Sequence, residues 1–323
     1  PHPKVMEQNS FRIRLLRAVS EAMRPAWRTA VWVIKMVVPI TLAISILEHL
    51  GVIGRISEWI APLFGLVGLP GDSGLVFLTA ALSNNFAAVA IIATLGFDYR
   101  SVVILAVMAL VCHCLIIESA IQHKTGASGL KMTLLRIGMA FIAAALMNLI
   151  LPEHMTGRLF LPPAGVSPET WAEAGLLWLK TILPLSLKIG IIIVSLNILQ
   201  RILQEFRLLD LLTVPLQPLM AVFGLPRSTS FLWIISNVVG LTYGGAALVD
   251  EIRRGAISRE DSRLLNAHVA ISHSLLEDTA IFYSIGVGLF WLLAPRIILA
   301  ICTVWIIRLF VRLRNPRRSI APG

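Results

Sequence analysis

The chain has 323 residues, of which 57% are hydrophobic and 14% are charged, and its formal net charge at pH 7 is +10. A typical soluble domain carries about 25% charged residues, so the composition excludes an ordinary soluble domain and indicates a polytopic membrane protein. The lysines and arginines lie mostly in short segments between apolar runs rather than in one basic domain. The positive charge therefore predicts orientation in a lipid bilayer, and it does not predict a nucleic-acid partner.

Apolar stretches near the roughly 20 residues that a helix needs to cross a bilayer recur along the chain, without the alternation of a strand barrel. They lie at 30–50, 102–121, 132–151, 176–200 and 287–307. The fold class predicted from this pattern is an all-α polytopic membrane protein.

Positive charge flanks the apolar region at both ends. A basic N-terminal segment, 1–28, precedes the first apolar run, and a basic tail, 312–323, follows the last one. Short basic segments beside membrane spans favour the cytoplasmic side. Both termini are therefore predicted to be cytoplasmic, in a multi-pass protein of the bacterial cytoplasmic (inner) membrane. The segment 152–174, with three glutamates and one arginine, is predicted to be an external loop.

Two further apolar runs, 74–95 and 229–249, are polar near their centres. Their polar residues are Asn84, Asn85, Ser236, Asn237, Thr242 and Tyr243. Irregular backbone at membrane depth must be buried in protein or line a cavity. Each run is therefore predicted to be a re-entrant hairpin of two half-helices with a polar tip.

One motif occurs twice, at positions 160 residues apart. The copies read His113-Cys-Leu-Ile-Ile-Glu118-Ser119-Ala120 and His273-Ser-Leu-Leu-Glu-Asp278-Thr279-Ala280. Each copy places a histidine, a carboxylate and a hydroxyl in an apolar run, and ionisable groups at membrane depth are usually functional because they are costly to bury. The recurrence predicts an internal repeat.

The two predicted repeats are 29–151 and 175–311. Each is expected to contain three crossings, a re-entrant hairpin and an interfacial helix, the latter at 51–69 and 208–225. Because three is an odd number of crossings, the second repeat is predicted to be inverted relative to the first.

With its paired hairpins and its His-x-Leu-x-x-acid-Ser/Thr-Ala motif, the chain resembles the Gate, or nucleoside-recognition, family. That family includes spore-maturation membrane proteins and the gate regions of ferrous-iron transporters, and it is similar in architecture to concentrative nucleoside transporters. The resemblance covers 30–150 and 176–310. It implies a transporter whose substrate site is formed by the hairpin tips and the two motifs.

Glu118 and Asp278 are the strongest candidate residues, since a buried carboxylate can take up a proton or bind a cation. Five residues of regular helix turn about 140°, so His113 and Glu118 should serve different neighbours unless the helix breaks between them. Glu277 lies four residues after His273, so only the second copy has a same-face pair. The alternative is a packing role, in which the histidines donate to helix carbonyls and the tip residues only cap turns.

Cys112, His113 and Cys114 together suggest a soft-metal site. Serines hold the two cysteine positions in the second copy, and small residues at helix contacts explain both pairs, so no metal site is predicted. Arg136 and Arg296 each lie 18 residues after the motif acid of their own copy. They are expected either to pair with the acids or to extend to the membrane interface.

The leading hypothesis is a secondary transporter that moves a small polar or anionic solute, nucleoside-like by the family resemblance. It would work by alternating access coupled to H⁺ or Na⁺, with no other cofactor. The alternatives are a non-transporting membrane scaffold or partner subunit, and a mover of lipids or polyisoprenoids; a homo-oligomer stays open. An enzyme is not expected, because no nucleophile elbow, phosphate loop or metal-ligand set is found. A cavity lined by the acids would favour transport, and a dry, fully paired cluster would favour a scaffold.

Overall fold

A computed structural model describes residues 3–160 and 168–314. Part of the predicted external loop and most of the basic tail lie outside these residues. The described part is helical throughout and contains no strand. The helices are α1 (Pro3–His49), α2 (Val52–Gly65), α3 (Ser73–Leu82), α4 (Asn85–Leu95), α5 (Tyr99–Val111), α6 (Leu115–Lys124), α7 (Gly129–Ile150), α8 (Trp171–Glu205), α9 (Leu208–Val222), α10 (Ser230–Val238), α11 (Leu241–Arg253), α12 (Arg259–Ser272), α13 (Glu277–Ser284) and α14 (Leu289–Arg314), with a 3-10 turn at Arg227–Thr229.

Within the described ranges, five helical stretches are long and apolar enough to cross a membrane. They are Phe11–His49, Tyr99–Lys124, Gly129–Ile150, Trp171–Glu205 and Leu289–Arg314, and each overlaps one of the apolar runs found in the sequence. The predicted all-helical membrane protein is thereby confirmed. Three crossings per repeat require a sixth, which the second motif would provide, but that segment is divided between α12 and α13 and is not among the five.

The longest helix, α1, extends through the basic N-terminal segment without a break. It lies antiparallel to α8, because Arg14 near its start pairs with Glu205 at 3.1 Å, whereas Thr41 near its end accepts a hydrogen bond from Trp178. The buried face of α1 carries alanines at four-residue intervals, which let two backbones approach closely. These are Ala18, Ala22, Ala26 and Ala30.

Both predicted hairpins consist of two short helices separated by a break. Between α3 and α4 the break lies at Ser83 and Asn84, as predicted, and the Asn84 side chain caps α4 by accepting from the Ala87 N–H at 2.9 Å. Between α10 and α11 the break does not lie at the Ser-Asn pair that corresponds to it in sequence. Ser236 and Asn237 belong to the last turns of α10, and the break falls at Gly240, whose φ of 109° favours glycine.

The two motif segments are also broken, and each break packs against a hairpin. Cys114 and Ser274 hold corresponding positions with left-handed φ angles of 46° and 53°. The Cys114 N–H donates to the Ala80 carbonyl at 3.0 Å, and the Ser274 N–H donates to the Ser236 carbonyl at 3.1 Å. Each hairpin therefore satisfies backbone groups that the motif break releases, as the bilayer interior requires.

Helix α5 lies at the centre of the fold. All its residues from Ser101 to Val111 are buried, and α3, α4, α7, α12, α13 and α14 surround it. Because α5 ends at the first motif break, His113 is delivered to the middle of the helical bundle, where the second motif also arrives.

Candidate functional site

The two motif histidines meet at the centre of the protein. The Nε2 atoms of His113 and His273 are 3.2 Å apart, and the residues are 4% and 0% exposed. Each Nδ1 faces the carbonyl oxygen four residues earlier, that of Ala109 at 3.1 Å and that of Val269 at 2.7 Å. A carbonyl oxygen only accepts hydrogen bonds, so each Nδ1 carries a proton and donates it there.

Each motif carboxylate contacts the histidine of the other copy. Asp278 Oδ2 lies 3.1 Å from His113 Nε2, and Glu118 Oε2 lies 3.0 Å from His273 Nε2. Glu118 also approaches the histidine of its own copy, with Oε1 3.4 Å from His113 Nε2. The helix breaks between His113 and Glu118, so these two side chains can meet. Glu118 also contacts the histidine of the other copy, so both alternatives expected from the sequence occur. We call these four side chains the central cluster.

Arg136 of α7 lies behind the central cluster and is fully buried. Its Nη1 is 2.6 Å from Glu118 Oε2, which confirms the expected ion pair. Its Nε and Nη2 donate to the carbonyls of Val111 and His113 at 2.9 and 2.7 Å. These carbonyls lie where the motif helix breaks, so the guanidinium replaces the missing helical hydrogen bonds.

Arg296 of α14 repeats this arrangement in the second copy. Its Nε donates to the Ile271 carbonyl at 3.4 Å and its Nη2 donates to the His273 carbonyl. In the part of the chain that the structure describes, however, Arg296 forms no ion pair with Asp278. The two copies thus agree in backbone contacts and differ in ion pairing.

The other candidate residues do not belong to the central cluster. Asn85 and Thr279 are buried and have side-chain atoms without a partner among the described residues. Ser119 accepts a hydrogen bond from Thr133 at 2.8 Å, and Glu277 is partly buried. Tyr243 is 62% exposed, and the side chain of Thr242 lies outside the described part. The amide of Asn237 donates to the Trp233 carbonyl at 2.8 Å, which keeps it within α10.

Sequence reasoning missed a buried polar network between α6 and α12. Gln122 donates to the Asn266 backbone carbonyl at 3.0 Å, and Thr125 donates to the Asn266 side-chain oxygen at 2.9 Å. Ser262 donates to the Thr125 carbonyl at 2.9 Å. The signal that could have found this network is Asn266, an amide inside the apolar run of the second motif. The network joins the two halves beside the central cluster.

The ligand atoms of His113, Glu118 and His273 lie within 4.8 Å of one another, a spacing that could hold a metal ion. The cysteines next to them are not in this group. Cys114 Sγ donates to the Ser83 carbonyl at 2.8 Å, and Cys112 is buried. The cysteines thus have a packing and hydrogen-bonding role in this arrangement.

The double substitution Cys112→Ser/Cys114→Ser is expected to preserve the fold at a cost of about 1 kcal/mol or less. In the second copy, Ser272 already donates to the carbonyl four residues earlier at 3.1 Å, and a hydroxyl at position 112 can do the same. Thermal melting in detergent tests this. A loss of melting temperature as large as that of an Arg136 variant would instead assign the cysteines to the central cluster.

Two cavities open near opposite ends of α7. One of about 390 Å³ is lined by the end of α1, the start of α8 and Thr94 of α4. The other, of about 470 Å³, is lined by the first turn of α7, with Lys131 and Arg263 at its edge. Arg100, at the start of α5 that follows α4, bonds to Asn148 at the far end of α7, which fixes the first cavity at that end. The central cluster lines neither of these cavities.

Comparison with known proteins supports the resemblance drawn from the sequence. Residues 30–128 match the family described as Gate, nucleoside recognition. The chain is 29% identical over 273 residues to the uncharacterized membrane protein YvoD of Bacillus subtilis (strain 168), over 83% of this chain and 86% of that protein. No solved structure matches. The predicted resemblance to the Gate family is thereby confirmed for residues 30–128, and the relative is itself a membrane protein.

Proposed function

We propose that this protein, whose residues 30–128 match the Gate family, is a secondary transporter of the bacterial cytoplasmic membrane. It would move a small polar or anionic solute, nucleoside-like by the family resemblance, by alternating access. The observation that carries the proposal is the crossed pairing at the centre, where Asp278 contacts His113 and Glu118 contacts His273. The ionic contacts between the halves can be remade when an ion or a solute binds, which gives the bundle two states.

In this proposal the two halves are inverted repeats, and the broken pairs α3/α4 and α10/α11 are re-entrant hairpins. The proposal is supported by the corresponding contacts of Arg136 and Arg296, which bond to backbone carbonyls at matched positions of the two motifs. It is also supported by the packing of α4 on α13 and of α11 on α6, which places each hairpin against the opposite motif. Such repeats let one half rock against the other around a fixed site.

The two cavities fit this scheme because they open near opposite ends of α7, and the central cluster lines neither of them. In the orientation predicted from charge, the cavity at the end of α1 faces outward and the cavity beside Lys131 faces the cytoplasm. The structure would then be an occluded state, with the central cluster closing the path between the two. The coupling ion, H⁺ or Na⁺, would exchange at Glu118 and Asp278.

One observation favours a second candidate, a non-transporting scaffold. The central cluster is buried and its members contact one another, which is the dry, paired arrangement expected of a structural core. A scaffold needs no second state of these contacts, whereas a transporter does. Transport therefore requires the contacts of the central cluster to open, whereas a scaffold does not.

Uptake by the purified protein in liposomes tests the proposed function. Tritiated uridine and labelled succinate serve as a nucleoside probe and an anion probe, with protein-free liposomes as the control. Accumulation that depends on the protein and is lost in Asp278→Asn is expected. If neither probe enters, and neither raises the melting temperature as a ligand of the native state should, the scaffold becomes the better assignment.

The predicted orientation is testable with single cysteines in a background that lacks Cys112, Cys114 and Cys302. His154 and Arg254 are both exposed, and they lie on opposite predicted sides. In intact cells, a membrane-impermeant maleimide is expected to label His154→Cys and to reach Arg254→Cys only after permeabilisation. The reverse pattern would place the termini outside.

A further inference from the structure

We propose that His113 and His273 share a proton, and that this proton is the coupling ion of the transporter. The inference deepens the proposed function, because it assigns the ion to the histidine pair and excludes Na⁺ from the site. The sharing of a proton is also measurable without transport.

The hydrogen-bond geometry requires a proton between the acceptors. Both Nδ1 atoms donate to backbone carbonyls, so a neutral ring at either position leaves a lone pair at Nε2. The two Nε2 atoms are 3.2 Å apart, and carboxylate oxygens lie 3.0 Å from His273 and 3.1 Å from His113. Without a further proton, two nitrogen lone pairs and two carboxylates would face one another in a buried site. At least one proton must therefore lie among them.

Backbone carbonyls at the two motif breaks are not free to bind Na⁺. Transporters with broken helices bind Na⁺ through backbone carbonyls freed where the helix unwinds. Here the carbonyls at the two breaks accept hydrogen bonds from guanidinium groups: those of Val111 and His113 from Arg136, and that of His273 from Arg296. These carbonyl oxygens, which an unwound helix would otherwise offer to Na⁺, are thus already engaged by fixed positive charges.

The charges around the pair also favour a single proton. The charged groups that contact the pair or its backbone are Glu118, Asp278, Arg136 and Arg296, while Cys112 and Cys114 flank His113 in the sequence and Glu277 precedes Asp278. Two arginines offset Glu118 and Asp278, so one shared proton adds a single positive charge. A divalent metal would leave an extra positive charge in the interior, where unpaired charge is costly.

Solid-state NMR of the protein in liposomes, labelled with ¹⁵N-histidine, tests the shared proton directly. An imidazolium signal that persists from about pH 6 to 8 is expected in the wild type. It should vanish in His113→Gln and in His273→Gln. It should stay in His123→Gln, the matched control, which changes an exposed histidine of α6. Two neutral rings at the central pair in the wild type, throughout this range, would overturn the proposal.

Driven uptake of tritiated uridine into liposomes tests the coupling role. A pH gradient of one unit should support up to about tenfold accumulation, because one unit is a tenfold ratio of protons. A tenfold Na⁺ gradient should add nothing, and both central histidine variants should lose the response. Uptake driven by Na⁺ alone would overturn the inference and leave the proposed transporter standing. Absence of uptake under either gradient would remove the coupling role together with the proposed function, while the NMR signal would still decide whether the proton is shared.

The same preparation distinguishes a metal site. Co²⁺ gives a visible absorption band when it is bound by imidazole and carboxylate, so titration with Co²⁺ should produce no band that depends on the two histidines. A band lost in both His113→Gln and His273→Gln would overturn the proposal in favour of a metal held by His113, Glu118 and His273.

Discussion

Replacement of Arg136 by glutamine is expected to destabilise the protein by about 3–5 kcal/mol, the usual cost of breaking a buried ion pair. The guanidinium is fully buried, lies 2.6 Å from Glu118 and donates to two carbonyls of the broken motif helix. Glutamine leaves Glu118 as a buried carboxylate without its counter-ion. Melting of the purified variant in detergent, followed by tryptophan fluorescence, measures the loss.

Two controls separate the ion pair from the backbone contacts. Arg296→Gln removes the same kind of carbonyl contacts, but Arg296 has no ion pair among the described residues, so a smaller loss is expected. Arg136→Gln/Glu118→Gln should be less destabilising than the sum of its single changes, because no buried charge of that pair is left over. Equal losses in the two arginine variants would show that the carbonyl contacts, and not the ion pair, carry the stability.

The central cluster was accessible from the sequence because its members repeat. His113 and His273 are marked as partners by their common motif, and a histidine with an acid inside an apolar run is rare enough to attract attention. With 3.6 residues per turn, His113 and Glu118 lie on different faces of a regular helix. The sequence therefore predicts either a helix break between them or different neighbours for each. The sequence does not predict which histidine contacts which acid, because the crossed pairing depends on how the two halves pack.

The hairpin breaks show where local rules succeed and fail. Asn84 marks the first break because a free amide oxygen caps a new helix well. Asn237 looked equivalent, but its amide donates to the carbonyl of its own preceding turn, which lets α10 continue to Val238. The break moves to Gly240, the residue best able to adopt a positive φ. The sequence pattern therefore identified the broken segment, and tertiary hydrogen bonding selected the residue.

In the first helix, a boundary in composition has no counterpart in the structure. Charge separates 1–28 from the apolar run that follows, yet α1 continues through both parts. Its basic part packs on α8 and forms two ion pairs with it, Arg14 with Glu205 and Glu21 with Arg201. A partner distant in sequence thus extends the helix beyond the membrane span that hydropathy detects.

Asp278→Asn is expected to abolish coupled uptake while the melting temperature stays near that of the wild type. Asparagine keeps the size and shape of the side chain, and the only ion pair of Asp278 among the described residues is with His113, at 3.1 Å. The variant removes the negative charge that faces the histidine pair, and it breaks no direct ion pair with an arginine, because Arg296 does not contact Asp278 in the described part of the chain. Uridine uptake in liposomes and melting in detergent are measured on the same preparation. Wild-type uptake in the variant would contradict the coupling role of the acid.

Glu118→Gln should abolish uptake too, but it should also lower the melting temperature, because Arg136 loses its counter-ion. This difference follows from the asymmetry in ion pairing between the two copies, since Arg296 forms no ion pair with Asp278 in the described part of the chain. The double variant should transport no worse than either single variant, because both acids act on one histidine pair and their effects are not additive. If melting falls in Asp278→Asn as far as in Glu118→Gln, and that loss fully accounts for the missing uptake, both acids are structural and the scaffold is the better assignment.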